Sequence, residues 1–154
     1  MKIVDFIRED LVIPELRGRT KPDVLGELAT KLASTSNAVS QADLLRVLSE
    51  RERLASTAIG DGVAIPHGKL DAVGHLVACI ARAPDGVDFD AIDGRPTHIF
   101  FALVAPENST GAHLKALARI SRLFKGDPEF RSKLLAAATA PAIYKLIADE
   151  DAKY

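Results

Sequence analysis

The chain has 154 residues, of which 47% are hydrophobic, and this length and composition are typical of one ordinary domain with its own core. It carries 20 basic and 21 acidic side chains. The resulting net charge of −1 excludes the broad positive field with which proteins hold nucleic acids or anionic membranes. The longest uninterrupted apolar run, residues 99–105, is far shorter than the roughly 20 residues that cross a bilayer. We therefore expect no nucleic-acid partner and no membrane insertion.

The N-terminus and the single cysteine indicate the cellular compartment. Residues 1–10 are interrupted by charge every few positions and lack the continuous apolar stretch of a secretory signal, so we expect a mature end. Cys79 cannot form an internal disulfide, and its position in the apolar run 76–80 predicts a buried, inert thiol. Both features favour a cytoplasmic location.

The first third of the chain contains the signals of two capped helices. Thr20 precedes an acid three residues later and then apolar residues at helical spacing, which predicts a helix over about 21–34. Ser40 repeats this pattern and predicts a second helix that fades near Glu50 and Arg51. Arg51 is therefore expected at the C-terminal end of that helix.

The middle of the chain is rich in strand signals. Short apolar segments at 57–59 and 63–65 flank a tight turn at Gly60-Asp61-Gly62. The segments 76–81 and 98–104 are longer, β-branched or aromatic, and nearly continuous in apolarity, which is typical of central strands covered on both faces. Several turn signals over 84–96 predict an irregular or hairpin excursion between these two strands.

Three further helices are predicted after Pro106. Residues 108–110 are expected to cap a helix that runs through Leu123, Asp127-Pro128 opens another, and the last covers about 141–148. Helices before and after a strand-rich middle, with no internal repeat, indicate a layered α/β domain. The basic residues of the C-terminal region are expected to face solvent: Arg119, Arg122, Lys125, Arg131 and Lys133.

The most unusual local feature is Ile65-Pro66-His67-Gly68. Proline fixes its own φ and forces Ile65 to be extended, while Gly68 leaves space beside the imidazole. Such a frame would hold His67 in place for a group as large as a phosphoryl, whose oxygens neighbouring backbone N–H groups could bind. The alternative is a histidine that ends a strand and has no catalytic role. These four residues alone leave both interpretations open.

His113 is predicted in the first turn of the helix that follows Gly111, where free N–H groups and the helix dipole favour a negative charge. Two histidines would then flank one anion. The alternative is that His113 is an exposed polar residue without a function. A metal site is the weaker interpretation, because neither cysteines nor a His-x-x-x-His spacing accompany the histidines. His75 and His98 each enter a strand, and we expect structural roles for both.

Two arginines and two hydroxyls precede the glycine turn. Guanidinium groups pair bidentately with phosphate and hydroxyls donate single hydrogen bonds, so Arg51 and Arg53, with Ser56 and Thr57, are candidates for anion binding. Equally, Arg51 and Arg53 would be solvated charges at a helix end.

Two motifs together resemble a known family. The segment 51–70 contains Ser56-Thr57-Ala58-Ile59-Gly60-Asp61-Gly62-Val63-Ala64-Ile65-Pro66-His67-Gly68, and His113-Leu114 follows Ala105-Pro106-Glu107. In these residues the chain resembles the fructose/mannitol class of enzyme IIA of the bacterial phosphoenolpyruvate-dependent phosphotransferase system, of the stand-alone nitrogen-regulatory type. The resemblance covers nearly the whole chain. It implies a single IIA domain over residues 1–154, with a mixed central β-sheet flanked by helices on both faces.

The resemblance also implies roles for particular residues. His67 falls on the phosphoryl acceptor, His113 on its partner in the site, and Arg51 on the arginine that opens the Arg-Glu segment. Asp61 falls on an acidic residue six positions before the acceptor and is shorter than the glutamate of some relatives. Where many relatives read Gly-Ser-Thr this chain reads Ala55-Ser56-Thr57, which leaves both hydroxyls in place. The residues expected to support the phosphoryl group are Ser56, Thr57, Asp61 and Gly68.

The implied activity is ping-pong phosphoryl transfer in which His67 is phosphorylated by a histidine phosphocarrier protein, with no metal and no other cofactor. A neutral imidazole offers a lone pair at cytoplasmic pH, and the loose transition state needs mainly alignment and charge stabilisation. A charge of about −2 on His67 would also change what the surface attracts, and so regulate partners such as a sensor kinase or a potassium transporter. The alternatives are a sugar-specific IIA component that passes the phosphoryl group to a IIB domain during uptake, and a transfer-inactive binding module.

Overall fold

Six strands form one mixed β-sheet in the computed structural model, which describes residues 1–154. Their spatial order is β1-β5-β6-β3-β2, and β4 pairs with the same edge of β6 as β3. The pairs β5–β6 and β2–β3 are antiparallel, whereas β1 runs parallel to β5, and β3 and β4 run parallel to β6. The strands are β1 (Val12–Ile13), β2 (Ala58–Gly60), β3 (Val63–Ala64), β4 (His67–Lys69), β5 (Val77–Val87) and β6 (Thr97–Ala105).

Five α-helices cover both faces of this sheet, as the sequence and its family resemblance predicted. The helices α1 and α2 pack on one face, and α3, α4 and α5 pack on the other together with the N-terminal segment. None of the helices has the length and apolarity needed to span a membrane. Their bounds are α1 (Lys21–Ala33), α2 (Gln41–Leu54), α3 (Thr110–Lys125), α4 (Pro128–Ala136) and α5 (Ala140–Asp151), and 3-10 turns occur at Ile3–Asp5, Glu9–Leu11 and Asp71–Val73.

Side-chain caps begin most of the helices. Thr20 accepts a hydrogen bond from the Asp23 backbone at the start of α1, and Ser40 accepts one from Asp43 at the start of α2. Asp127 caps α4 in the same way. These three caps confirm the sequence prediction, because an oxygen on a short side chain satisfies an N–H group that has no partner within the helix. Ser109 precedes α3 but makes no side-chain cap, so the predicted capping there is wrong.

Strand β6 divides the core between the two faces of the sheet. Its side chains alternate from face to face, and every residue from Ile99 to Ala105 is buried. This double burial explains why the strand is nearly continuous in apolarity rather than alternating with polar residues. The side chains on the α1–α2 face are Phe100, Ala102 and Val104, and those on the opposite face are Ile99, Phe101 and Leu103.

Strand β5 continues through residues that the turn signals assigned to an irregular excursion. Residues 84–87 belong to β5, which ends at Val87. Gly86 adopts a φ of +79°, and the register with β6 shifts between Arg82 and Val87. A bulge therefore accommodates the turn-forming residues inside the strand. Only residues 88–96 form the connection of the hairpin.

A buried ion pair fastens the two ends of the chain together. Asp151 is only 1% exposed; its carboxylate accepts hydrogen bonds from the Ile3 backbone at 2.8 Å and from Arg119 Nε at 2.7 Å. Arg119 was expected to face solvent, but its side chain is only 18% exposed and pairs with Asp151 of α5. Arg131 also departs from that expectation, because it donates to the Phe124 carbonyl.

We expect Asp151→Ala to lower the free energy of unfolding by about 3 kcal/mol, because it leaves the Arg119 charge and the Ile3 N–H without their partner. Asp149→Ala is the matched control, since Asp149 forms an exposed ion pair with Lys145 and its loss should cost less than about 1 kcal/mol. Urea unfolding followed by circular dichroism measures both variants. If both variants lost the same small amount of unfolding free energy, the stabilising role of Asp151 would be contradicted.

Candidate functional site

The site lies where β4 runs beside the C-terminal half of β6. Strand β3 pairs with Ile99 and Phe100, and β4 continues along the same edge with His67 opposite Leu103. Pro66 separates the two short strands, and its carbonyl accepts a hydrogen bond from the Leu103 N–H at 2.9 Å. Because proline has no backbone N–H, the hydrogen-bond ladder with β6 is interrupted at Pro66, but the chain stays at the sheet edge. His67 is thereby fixed to a rigid element.

Both ring nitrogens of His67 have partners. Nδ1 lies 2.8 Å from the Ile65 carbonyl, which can only accept, so Nδ1 carries the ring proton. Nε2 therefore keeps its lone pair, and it accepts a hydrogen bond from Arg51 Nε at 3.2 Å. These two bonds fix both the tautomer and the orientation of the half-buried ring. The ring nitrogen of His67 that keeps a lone pair is Nε2, and it faces a guanidinium.

Arg51 reaches His67 from the last turn of α2. Its Nη1 donates to the Ala55 carbonyl at 2.9 Å, so one guanidinium bridges the imidazole and the chain that leaves the helix. The prediction that α2 fades near Glu50 and Arg51 is wrong by about one turn, because the helix continues to Leu54. Arg51 still lies in the C-terminal turn, as expected.

His113 packs against His67. The centroids of the two rings are 5.5 Å apart and their planes are inclined by 51°, so both imidazoles lie within reach of one phosphoryl group. His113 is only 4% exposed, which excludes the interpretation of an exposed polar residue. Its Nδ1 is buried without a hydrogen-bond partner.

His113 lies in the first turn of α3, as predicted, but its own backbone N–H is not among the free ones. The helix α3 begins at Thr110, so His113 is its fourth residue and its backbone N–H is already bonded to the Ser109 carbonyl at 2.9 Å. What His113 offers to an anion is the imidazole itself. An Nε2–H tautomer leaves Nδ1 as the unpartnered acceptor, which costs less than a buried N–H without an acceptor.

Burial lowers the pKa of both site histidines. For His67 burial is the largest cause and the Arg51 charge acts in the same direction, while the bond to Ile65 and the Glu52 carboxylate oppose it. Burial, the neighbouring His67 and Lys69 together lower the pKa of His113 to about 4. Both rings are therefore neutral at pH 7, which leaves His67 with the lone pair that nucleophilic attack requires.

We expect His113 to stay neutral in the folded protein down to about pH 4. In the unfolded chain its pKa is about 6.5, so between these values the unfolded state binds a proton that the folded state does not. Stability should therefore fall as the pH drops from about 6.5 towards 4, and less steeply in His113→Gln. An ¹⁵N NMR titration and urea midpoints at pH 7 and pH 5 check both statements. A His113 pKa at or above 6.5 would contradict them.

The hydroxyls of Ser56 and Thr57 are engaged away from His67. Ser56 Oγ donates to the Phe89 carbonyl at 2.7 Å and accepts from the Ala58 N–H at 3.1 Å. Thr57 is buried, and its hydroxyl donates to the Glu52 carboxylate. Neither hydroxyl hydrogen is available to an incoming phosphoryl group. The expectation that Ser56 and Thr57 bind the phosphoryl group directly is therefore wrong.

Asp61 lies towards the opposite end of the sheet. Strand β3 starts at Val63, opposite Ile99, whereas His67 is opposite Leu103. At ~3.3 Å per residue, this register separates Val63 from His67 by about 13 Å along β6, and Asp61 lies in the turn beyond Val63. Asp61 instead occupies the left-handed position of the β2–β3 turn, with a φ of +57°. The geometry contradicts the expectation that Asp61 supports a phosphoryl group on His67.

Gly68 faces α2 rather than an open space. A Cβ at this position would lie 3.2 Å from Val47 Cγ2 and 3.3 Å from Val47 Cβ, which is tighter than most packing contacts. Val47 lies one turn before Arg51 on the same face of α2. The missing side chain of Gly68 therefore lets α2 approach β4 closely enough for Arg51 to reach His67. The space beside Gly68 was expected to hold a phosphoryl group, but α2 occupies it.

The remaining histidines lie outside the site. His98, at the start of β6, approaches the Ala83 carbonyl through Nδ1 at 3.0 Å, which is a structural contact. His75 is exposed just before β5. The sequence interpretation assigned no role to Glu52, a buried carboxylate adjacent to Arg51 that accepts a hydrogen bond from the Thr57 N–H. An acidic residue in the last turn of a helix interacts unfavourably with the helix dipole, so the sequence position of Glu52 already marked it as unusual.

The family model described as "Phosphoenolpyruvate-dependent sugar phosphotransferase system, EIIA 2" matches residues 5–150. The chain belongs to this family. It is a IIA component, that is, a phosphoryl carrier of the phosphotransferase system, whose IIA domains exchange phosphoryl groups with phosphocarrier donors and IIB domains. The resemblance stated from the sequence motifs is confirmed.

Individual relatives agree with this assignment. The chain is 41% identical over 148 residues to the nitrogen regulatory protein of Bradyrhizobium diazoefficiens, covering 96% of this chain and 95% of the relative. It is 32% identical over 151 residues to the fructose-specific EIIABC component of Bacillus subtilis, covering 98% of this chain but 24% of that larger protein. The crystal structure of the nitrogen regulatory protein IIA-Ntr from Neisseria meningitidis superimposes with a TM-score of 0.86 at 31% identity, over 94% of this chain and 98% of that one.

Proposed function

We propose that this chain accepts a phosphoryl group on Nε2 of His67 from a histidine phosphocarrier protein in the cytoplasm, and that its phosphorylation state regulates other proteins. The geometry of the His67 ring carries the proposal. Nδ1 holds its proton against the Ile65 carbonyl, and Nε2 presents a lone pair between Arg51 and a second buried imidazole. An unreactive structural histidine would not need this arrangement.

The transfer step follows from the groups around Nε2. The Nε2 lone pair attacks the phosphorus of the donor's phosphohistidine, the new N–P bond forms, and the donor's N–P bond breaks with its electron pair returning to the donor imidazole. Arg51 Nε leaves Nε2 as the phosphorus approaches and donates to a phosphoryl oxygen, and His113 donates to another. The Nδ1 proton stays on His67, so the ring is a good leaving group for onward transfer.

Exposed leucines beside the site support docking of a carrier protein. Leu54 follows Arg51 by three residues and is 82% exposed, and Leu114 follows His113 and is 60% exposed. Contiguous apolar surface in water is typical of regions that contact another protein, and we propose that these two leucines belong to one such region. Both leucines would contact the carrier as it brings its phosphohistidine to His67.

A regulatory output is supported by the relatives and by electrostatics. The nitrogen regulatory protein of Bradyrhizobium diazoefficiens matches this chain at 41% identity over 95% of its own length. Phosphorylation adds a charge of about −2 next to the exposed leucines and so changes which surfaces they can contact. The regulatory partners that we propose are a sensor kinase or a potassium transporter.

A sugar-specific IIA component is the second candidate function, because the fructose-specific component of Bacillus subtilis matches nearly the whole chain. Such a protein would pass its phosphoryl group to a IIB domain. A transfer-inactive binding module is disfavoured by the presence of both imidazoles at a ring-centroid separation of 5.5 Å.

Reconstituted transfer distinguishes these functions. Phosphoenolpyruvate, purified enzyme I and the histidine phosphocarrier are mixed with the protein, and intact mass at neutral pH measures phosphorylation. We expect a gain of one acid-labile phosphoryl group, retention of that group when a fructose-type IIB protein is added, and a changed affinity for a sensor kinase. Rapid drainage onto the IIB protein would support the sugar-specific component. No gain with active donors would favour the binding module.

A further inference from the structure

The C-terminal end of α2 is held by side chains. The C-cap residue, Ala55, is extended and forms no capping backbone bond. Arg51 Nη1 donates to the Ala55 carbonyl, and the Glu52 carboxylate accepts the Thr57 backbone N–H at 3.1 Å. Two consecutive residues therefore secure the chain that leaves the helix, and one of them also contacts His67.

Glu52 is a buried carboxylate with every partner supplied by the protein. It is 7% exposed, and it accepts from the Thr57 hydroxyl as well as from the Thr57 N–H. Lys21 Nζ, from the first turn of α1, lies 2.7 Å from its Oε2. A buried carboxylate near a helix C-terminus is costly in free energy unless it is paired and hydrogen-bonded, as Glu52 is.

Hydrogen bonds connect Glu52 to the ring of His67. Glu52 holds Thr57 through two groups, and the Thr57 carbonyl accepts the Ile65 N–H at 3.0 Å. The Ile65 carbonyl in turn accepts the Nδ1 proton of His67. On the other side of the ring, Arg51 from the same helical turn contacts Nε2. Both nitrogens of the acceptor imidazole are thus positioned by the last turn of α2.

We propose that Glu52 is a positioning residue for phosphoryl transfer, a role that rests on the proposed function. It holds Thr57 so that the Ile65 carbonyl keeps the ring proton on Nδ1 of His67, and it holds the end of α2 so that Arg51 reaches Nε2. Thr57 acts through this chain of contacts rather than by binding the phosphoryl group. The Glu52 charge also opposes that of Arg51 and preserves the basicity of His67.

Glu52→Gln tests the proposal, with Glu50→Gln as the matched control because Glu50 is an exposed neighbour on the same helix. We expect ¹⁵N NMR of Glu52→Gln to show an Nε2–H form of His67 beside the Nδ1–H form, together with a lower His67 pKa. The transfer rate should fall by about tenfold to a hundredfold, since small misplacements of reacting groups have effects of that size. The control should match the wild type in both measurements.

A folded Glu52→Gln protein with an unchanged His67 tautomer and an unchanged transfer rate would overturn the proposal. The ring measurements need no phosphoryl donor, so they report on positioning even if the wild type accepts no phosphoryl group in the reconstituted assay. Failure of the proposed function and failure of this inference are therefore distinguishable.

A second pair of variants covers the case in which Glu52→Gln does not fold. Thr57→Ser keeps the hydroxyl that donates to Glu52, whereas Thr57→Val removes it and retains the shape of the side chain. We expect the serine variant to keep the Nδ1–H form of His67 and nearly the wild-type rate, and the valine variant to lose part of both. Equal behaviour of the two variants would contradict the role of Glu52 acting through Thr57.

Discussion

The variant His67→Gln should take up no phosphoryl group from the phosphorylated carrier protein. Glutamine has about the polarity of histidine but lacks a basic ring nitrogen, so the attacking lone pair is lost while Arg51 and His113 remain in place. Intact mass at neutral pH, with the wild type in parallel, measures the effect. His75→Gln is the matched control, because His75 is exposed and lies outside the site, and it should be phosphorylated like the wild type.

His113 is the one alternative acceptor within the site, and its environment argues against that role. The side chain is buried, and its Nδ1 has no partner that would hold a proton there and leave Nε2 as the nucleophile. A phosphoryl gain that persists in His67→Gln, at His113 or elsewhere, would contradict the assignment of the acceptor.

Arg51→Met should slow phosphoryl transfer by about a hundredfold to a thousandfold, the usual effect of removing one preorganised donor from a developing charge. Methionine retains much of the aliphatic stem, so packing against β4 changes little. The guanidinium lowers the pKa of His67, and its removal should therefore raise that pKa. A slower transfer by a more basic nucleophile would identify charge stabilisation as the contribution of Arg51.

Arg53→Met is the control for the loss of a positive charge near the end of α2. Arg53 is exposed and bonds only to the Ser49 carbonyl of its own helix. Its replacement should leave the transfer rate within about twofold of the wild type, because exposed charges contribute little. Equal losses in the two arginine variants would point to a general electrostatic effect and contradict a specific role for Arg51.

Local signals in the sequence were sufficient for much of the fold. The caps at Thr20 and Ser40 depend on hydrogen bonds within four residues, and both helices begin where the sequence places them. The apolar run of β6 reflects burial on both faces, which is a property of the strand itself. The extended residue before Pro66 and the two histidine motifs likewise marked residues that the structure brings together.

Errors arose where long-range packing decides. Asp61 is only six residues from His67 in sequence, but β3 and β4 run in succession along β6, so those residues span much of the strand's length. The Ser56 hydroxyl finds the Phe89 carbonyl, which lies 33 residues away. The interpretation of Gly68 failed for a similar reason, since nothing in its local sequence reveals that α2 packs against it.

The proposed phosphoryl acceptor is Nε2 of His67, which Ile65 and the last turn of α2 position. The most direct test is long-range ¹H–¹⁵N and ³¹P NMR of the uniformly ¹⁵N-labelled protein, before and after phosphorylation by the carrier. We predict an Nδ1–H ring before transfer and a phosphoryl group bonded to Nε2 of His67 after it. A phosphoryl group on Nδ1 of His67, or on any other histidine, would contradict the assignment of Nε2 of His67 as the acceptor.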